Sequence, residues 1–87
     1  MSVRMKPRYL DSTRGLFIAP AARTTTGDKV WRLYLGHISG GNRQLATITQ
    51  LSTRNYMLHM ADGTHVDTHA RNLLGVALDA YNHRITS

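Results

Sequence analysis

The sequence predicts one small α+β domain, in which an antiparallel β-meander of three to five strands packs on one C-terminal amphipathic helix. Apolar and polar residues alternate between Val30 and Thr68, with turn-forming residues at intervals. After Thr68 the apolar residues recur every three or four positions, as in a helix. With 87 residues, the chain has room for a single core. We divide it into a basic N-terminal arm, residues 1–15, and one α+β domain, residues 16–87.

The N-terminal arm is defined by its positive charge. Arg4, Lys6 and Arg8 alternate just before Tyr9, so an extended chain would point all three side chains the same way. Arg14 adds a further cation near the end of the arm. The pattern is typical of a solvated chain end, and it also suits contacts with phosphate groups.

The first predicted strand is the short apolar run from Leu16 to Ala19. Pro20 follows it and lacks a backbone N–H donor, which predicts an edge strand that ends at this proline. The residues from there to Asp28 show no apolar pattern and predict a surface loop.

The second predicted strand spans Val30 to Ile38 and has one apolar face. Its two faces carry Trp31, Leu33 and Leu35 on one side and Arg32 and Tyr34 on the other. A turn at residues 39–42 predicts a hairpin to a strand near Gln44 to Leu51. The register of that strand stays open, because Ala46 and Ile48 compete with Leu45 and Leu51 for the buried face.

The loop Ala61-Asp62-Gly63 selects the register between a strand over residues 56–60 and the next strand. A two-residue turn would place three polar side chains in the core: His65, Asp67 and His69. A three-residue loop, with Gly63 in the left-handed region and a bulge, instead pairs Met60 with Thr64 and Leu58 with Val66. Burial of apolar side chains favours the three-residue loop.

The C-terminal helix is predicted from about His69 to Arg84, with Thr68 or Asp67 as its N-cap. Its apolar stripe consists of Ala70, Leu73, Leu74, Ala77, Leu78, Tyr81 and Ile85, and its polar side of Arg71, Asn72, Asp79 and Asn82. Gly75 costs about 1 kcal/mol relative to Ala within a helix. This glycine predicts either a closely packed neighbour or a locally weak helix.

Composition narrows the function more than any motif does. The net charge is +6, and nine of the eleven basic residues are arginine, whose guanidinium group binds phosphate and carboxylate in a fork. The absence of cysteine excludes disulfides, cysteine-based zinc sites and thiol nucleophiles. No Gly-x-Ser-x-Gly elbow, GxGxxG or GxxxxGK[ST] motif is present, so we expect a protein that is not an enzyme and needs no cofactor.

Membrane insertion is not expected, because no apolar run approaches the ~20 residues that span a bilayer. The N-terminus also lacks the apolar core of a signal peptide. We therefore expect a soluble, cytoplasmic protein, associated with the nucleoid if its partner is DNA.

Seven residues are predicted to bind nucleic acid or another acidic partner: Arg4, Lys6, Arg8, Arg14, Arg32, Tyr34 and Arg54. In the favoured register, the exposed sheet face also presents Met57, His59, His65 and Asp67, joined by Thr47 and Thr49 if Ala46 and Ile48 point inward. Arginine can bind phosphate and tyrosine can stack on a base, so this mixture suits nucleic acid. An ordinary solvated sheet face has the same composition.

A metal site is a weaker alternative for part of this face. His59, His65 and Asp67 could supply two imidazoles and a carboxylate, an arrangement found in catalytic zinc and iron sites. Side chains two residues apart on a strand diverge, however, and no fourth ligand is visible. We therefore predict surface histidines and no bound metal.

Two functions follow from these patterns. The first is a small binding module for nucleic acid, DNA rather than RNA, that uses the basic arm and the open sheet face. The alternative is a phage- or plasmid-type regulatory protein that binds an acidic surface of a larger host protein and inhibits it. In this case the edge strand near Leu16 to Ala19 could extend the partner's sheet. A homodimer is compatible with both.

Overall fold

The computed structural model describes residues 7–21 and 23–86. In this part of the chain, six strands form one sheet and are followed by one helix: β1 (Arg8–Asp11), β2 (Leu16–Ala21), β3 (Lys29–His37), β4 (Gly40–Ser52), β5 (Asn55–Met60), β6 (His65–Val66) and α1 (Leu73–Thr86). Strand order in the sheet follows the order in the chain, and all neighbours are antiparallel. The predicted α+β meander with a C-terminal helix is confirmed, with one strand more than the predicted range.

The extra strand is β1, which begins inside the segment predicted as a basic arm. Tyr9 pairs with Phe17 and Arg8 with Ile18, and an irregularity separates Tyr9 from Asp11. Leu10 packs against the core. The sheet therefore includes part of the chain whose charge alone predicted a solvated segment.

Strand β2 corresponds to the first predicted strand, and it lies inside the sheet. Its predicted position at the edge is therefore wrong for residues 16–18. These residues have β1 on one side and β3 on the other. The strand also continues past Pro20, which pairs with Trp31. Pro20 is accommodated because the pairing with β1 extends only to Ile18, so no bond to β1 is needed at the proline.

A β-bulge resolves the register that the sequence left open in β4. Leu33 pairs with Ala46 while Tyr34 pairs with Gln44, so Leu45 is the extra residue between them. As a result Leu45 and Ala46 are both buried despite being adjacent. Ile48 is also buried, whereas Leu51 is 47% exposed.

The loop between β5 and β6 has the predicted three-residue form. The amide of Met60 donates to the carbonyl of Thr64 over 2.8 Å, and that of Gly63 donates to the carbonyl of Met60 over 2.9 Å. Gly63 has a φ of 93°, in the left-handed region that favours glycine. Leu58 pairs with Val66, which confirms the register selected by burial.

The helix starts later than predicted, at Leu73. Its cap is Asn72, whose Oδ1 accepts a hydrogen bond from the amide of Gly75 over 2.7 Å. Thr68 does not cap the helix because its hydroxyl donates to Asp79 over 2.5 Å and accepts from the amide of Ala70 over 3.2 Å. The predicted N-cap and the first helical residues were therefore wrong, since residues 67–72 form an irregular segment beside α1.

Gly75 has a closely packed neighbour, which is one of the two reasons predicted for a glycine within the helix. A Cβ at this position would lie 2.7 Å from the Cβ of Ala70. Leu74, assigned to the apolar stripe, is 41% exposed, because the buried side of α1 is the one that carries Val76, Ala77 and Ala80.

The helix packs on one face of the sheet and closes the core there. The buried residues that form this core are Leu16, Ile18, Leu33, Leu45, Ala46, Ile48, Leu58, Met60, Val76, Ala77 and Ala80. Among the described residues, no helix covers the other sheet face, which we call the open face. No helix in residues 7–21 and 23–86 is long and apolar enough to cross a bilayer.

Candidate nucleic-acid interface

Four polar side chains form a line across the open face. Arg32 of β3 pairs with Thr47 of β4, Thr47 pairs with His59 of β5, and His59 pairs with His65 of β6. Leu33 and Leu58 are buried against α1, so alternation places Arg32 and His59 on the opposite side. We call these four residues the polar row, and three strand spacings make it about 14 Å long.

Hydrogen bonding and ring contacts order parts of the polar row. The imidazole rings of His59 and His65 stack with their centroids 5.0 Å apart and an interplanar angle of 25°. Thr47 accepts a hydrogen bond from the side-chain amide of Gln44 over 3.1 Å. Arg32 is exposed, and it has no ion-pair partner within the described part of the chain. Its guanidinium is therefore available to an external acceptor.

Beside the polar row lies a cluster of three aromatic rings, the aromatic corner, formed by Tyr9, Phe17 and Tyr34. Phe17 stacks with Tyr34 at 5.2 Å between centroids and 11° between planes, and contacts Tyr9 edge to face at 5.7 Å. The ring of Phe17 is only 3% exposed although it lies on the open face. Tyr9, 40% exposed, accepts a hydrogen bond from the amide of Ile38 over 3.2 Å.

The predicted site did not include Tyr9 or Phe17. The available signal was the uninterrupted apolar run at Leu16, Phe17 and Ile18, because alternation forces the middle residue onto the face opposite its neighbours. Such a run predicts a strand with apolar contacts on both faces. The structure provides them through α1 on one side and the aromatic corner on the other.

The open face carries no carboxylate at the strand positions that the structure describes. These positions include Tyr9, Phe17, Ala19, Ala21, Val30, Arg32, Tyr34, Gln44, Thr47, Thr49, Asn55, Met57, His59 and His65. Asp67, predicted to share this face, lies after the end of β6. An anionic ligand on the face would therefore meet hydrogen-bond donors and aromatic rings without a fixed negative charge among these side chains.

The other predicted binding residues are dispersed. Arg8 is exposed on the helix side of β1, because its partner Ile18 points into the core. Arg54 lies in the turn between β4 and β5. Arg4 and Lys6 lie outside the described residues. Of the seven predicted residues, the structure brings Arg32 and Tyr34 together on the open face.

Arg14 is engaged within the protein. Its guanidinium forms an ion pair with Asp11 at 2.6 Å and lies 6.0 Å from the ring centroid of Tyr81 on the helix. The hydrogen bond from the Arg14 side chain holds the pKa of Asp11 below its usual value. Asp11 is therefore charged at neutral pH, and it partly offsets the charge of Arg14.

Two of the three candidate metal ligands, His59 and His65, lie next to each other. In the residues that the structure describes, however, no three His or Asp side chains are grouped closely enough to hold a metal ion. The pair is therefore better assigned to the polar row.

Comparison of the chain with protein-family models, curated proteins and solved structures finds no significant match. The functional interpretation of the open face consequently depends on its own residues and their geometry.

Proposed function

We propose that the protein binds nucleic acid through the open face. The observation that carries the proposal is the polar row lying beside Tyr34 on an uncovered sheet, with no carboxylate at the described strand positions of that face. Backbone phosphates and unpaired bases are the two chemical features that such a surface suits.

Each part of the face has a distinct role in this proposal. Arg32 presents a planar fork of N–H donors that can form two parallel bonds to one phosphate. Thr47 and the two histidines add hydrogen-bond donors along the same line, and Tyr34 offers a ring for stacking. Base–aromatic stacking contributes about 1–3 kcal/mol per base and tolerates any sequence.

The dimensions of the sheet favour a single strand over a duplex. Six strands at about 4.8 Å spacing make the open face about 24 Å wide, whereas the major groove of DNA is about 12 Å wide. The whole face therefore does not fit into a groove. A single strand of DNA lying across the sheet can contact both the polar row and the aromatic corner.

Fluorescence anisotropy with a labelled single-stranded DNA 20-mer tests this proposal. We expect binding that weakens steeply between 50 and 200 mM salt, because phosphate contacts release counterions. Arg32→Gln should weaken binding and lower the slope of log affinity against log salt by about 1. Arg43→Gln removes the same charge from the helix side of β4 and is the matched control. No binding at micromolar protein, or equal effects of both variants, would contradict the proposal.

The alternative function, binding of a larger protein, is supported by the outer side of β6. Within the described residues this strand has a partner only in β5, so its other edge is open to strand addition. A groove of about 700 Å³ runs between it and α1, and Val66, Ala70 and Leu78 contribute apolar lining. This edge replaces the one predicted near Leu16 to Ala19, which is covered over residues 16–18.

A pull-down with and without nuclease separates the two functions. Nucleic acid in the untreated pull-down, together with recovered proteins that disappear after nuclease treatment, supports the open-face proposal. Recovery of one stoichiometric protein after nuclease treatment supports the alternative. Because that partner is expected to present an acidic surface, Asp67→Asn, which removes a negative charge from the groove, should then increase the recovery.

A further inference from the structure

A second, smaller site lies away from the polar row, where the β4–β5 turn approaches the irregular segment before α1. The two segments enclose a crevice of about 220 Å³. It is lined by Arg54, Asn55, Tyr56, Thr68, His69, Ala70 and Arg71. Arg54 and Arg71 are far apart in the chain, so the fold creates their proximity.

The charge of the crevice is entirely positive or neutral. Two arginines and one histidine line it, and no carboxylate does. Neither Arg54 nor Arg71 forms a hydrogen bond or an ion pair with another residue in the described ranges. Arg14 and Arg23 differ in this respect, since they bind Asp11 and the carbonyl of Gly27.

Two of the neutral polar side chains in the lining already have partners. The hydroxyl of Thr68 donates a hydrogen bond to Asp79, and the side-chain amide of Asn55 donates one to the hydroxyl of Ser52 over 2.8 Å. These bonds hold the two walls in place. The groups that remain for a ligand are mainly donors, and they select a ligand rich in acceptor oxygens.

The volume limits the size of that ligand. Pockets for drug-sized molecules and cofactors typically measure about 300–1,000 Å³. A crevice of about 220 Å³ is too small for most of these, and a single phosphate group fits it better than a whole nucleotide.

We propose that this crevice is a phosphate-binding site, in which Arg54 and Arg71 bind the oxygens of one phosphate group or terminal phosphomonoester. Two guanidinium forks can supply two pairs of donors, each pair parallel, to a doubly charged tetrahedral anion. His69 lines the same crevice and supplies a further donor. The site is independent of the open face, and its existence does not require that the open face binds nucleic acid.

Titration of the ¹⁵N-labelled protein with inorganic phosphate, at ionic strength held constant with sodium chloride, tests the site. Amide shifts should concentrate at residues 54–56 and 68–71. Arg54→Gln and Arg71→Gln should each weaken binding about tenfold, as expected for one lost charge-assisted contact. Arg43→Gln, the matched control elsewhere on the surface, should bind like the parent. The amide spectrum of each variant also reports whether it is folded.

Shifts spread evenly over all basic residues, or unchanged affinity in both crevice variants, would overturn the proposal. A 5′-phosphorylated oligonucleotide compared with its 5′-hydroxyl form then identifies the source of the phosphate. A gain from the 5′-phosphate that disappears in Arg71→Gln assigns the site to nucleic-acid ends. Equal binding of both forms, with inorganic phosphate still localised to the crevice, assigns it to free phosphate or a small phosphate ester.

Discussion

His59 and His65 face each other across β5 and β6, with their ring centroids 5.0 Å apart. Their position follows from the loop between the strands, which has three residues and a glycine in the left-handed region. If Asp62 and Gly63 alone formed the turn, the pairing of β6 with β5 would shift by one residue and His65 would face the core. The chemistry of the open face thus depends on the conformation of this loop.

Replacement of Gly63 by Ala tests that dependence. At a φ of 93° an L-residue is strained, and no atom lies within 4 Å of the added Cβ, so the effect is purely conformational. We expect Gly63→Ala to lower the free energy of unfolding by about 1–2 kcal/mol in urea denaturation. Ala61→Ser, an exposed change in the same loop, should alter it by less than about 0.5 kcal/mol. Equal stability of the two variants would show that the loop does not require glycine.

The start of α1 can be tested at its cap. Asn72→Ala removes the oxygen that accepts from the amide of Gly75 and should destabilise the protein by about 1 kcal/mol. Asp67→Ala, at a position that the sequence favoured as a cap, should change stability by less than about 0.5 kcal/mol. The reverse order of these two effects in thermal denaturation would place the start of the helix at the earlier position.

The contact between Gly75 and Ala70 reverses an expectation from helix propensity. Alanine is favoured over glycine in a helix by about 1 kcal/mol, but a Cβ on residue 75 would lie 2.7 Å from that of Ala70. We expect Gly75→Ala to lower the free energy of unfolding by about 1 kcal/mol, since overlap in a packed region costs about 1–3 kcal/mol. In the double variant Ala70→Gly/Gly75→Ala the loss should be smaller than the sum of the single losses. Stabilisation by Gly75→Ala alone would contradict the close contact.

Phe17 is expected to be a structural residue despite its place on the open face. Its ring is 3% exposed between Tyr9 and Tyr34, so Phe17→Ala should destabilise the protein by about 3 kcal/mol. Met57→Ala on the same face, where the side chain is half-buried, should have a clearly smaller effect. If the two losses measured in urea are similar, the aromatic corner does not bury Phe17 as described.

Local patterns predicted the parts of the fold that depend on neighbouring residues. The alternation in β3 and the loop at Gly63 were sufficient for the meander and for the pairing of Leu58 with Val66. The bulge at Leu45 could not be predicted. Adjacent residues of a regular strand point to opposite faces, so Leu45 and Ala46 can both be buried only where a bulge interrupts the alternation.

Tertiary contacts determined what the sequence patterns missed. Thr68 is a good N-cap by residue type, but its hydroxyl bonds to Asp79 on the next element. For the same reason Arg71, assigned to a solvated helix side, was not recognised beside Arg54.

Mapping amide shifts during titration with a single-stranded DNA oligonucleotide tests most directly whether nucleic acid binds on the open face. We expect the largest changes at Arg32, Tyr34, Thr47, His59 and His65, with little change along α1. Changes concentrated on α1, or no change at micromolar protein and low salt, would contradict such binding.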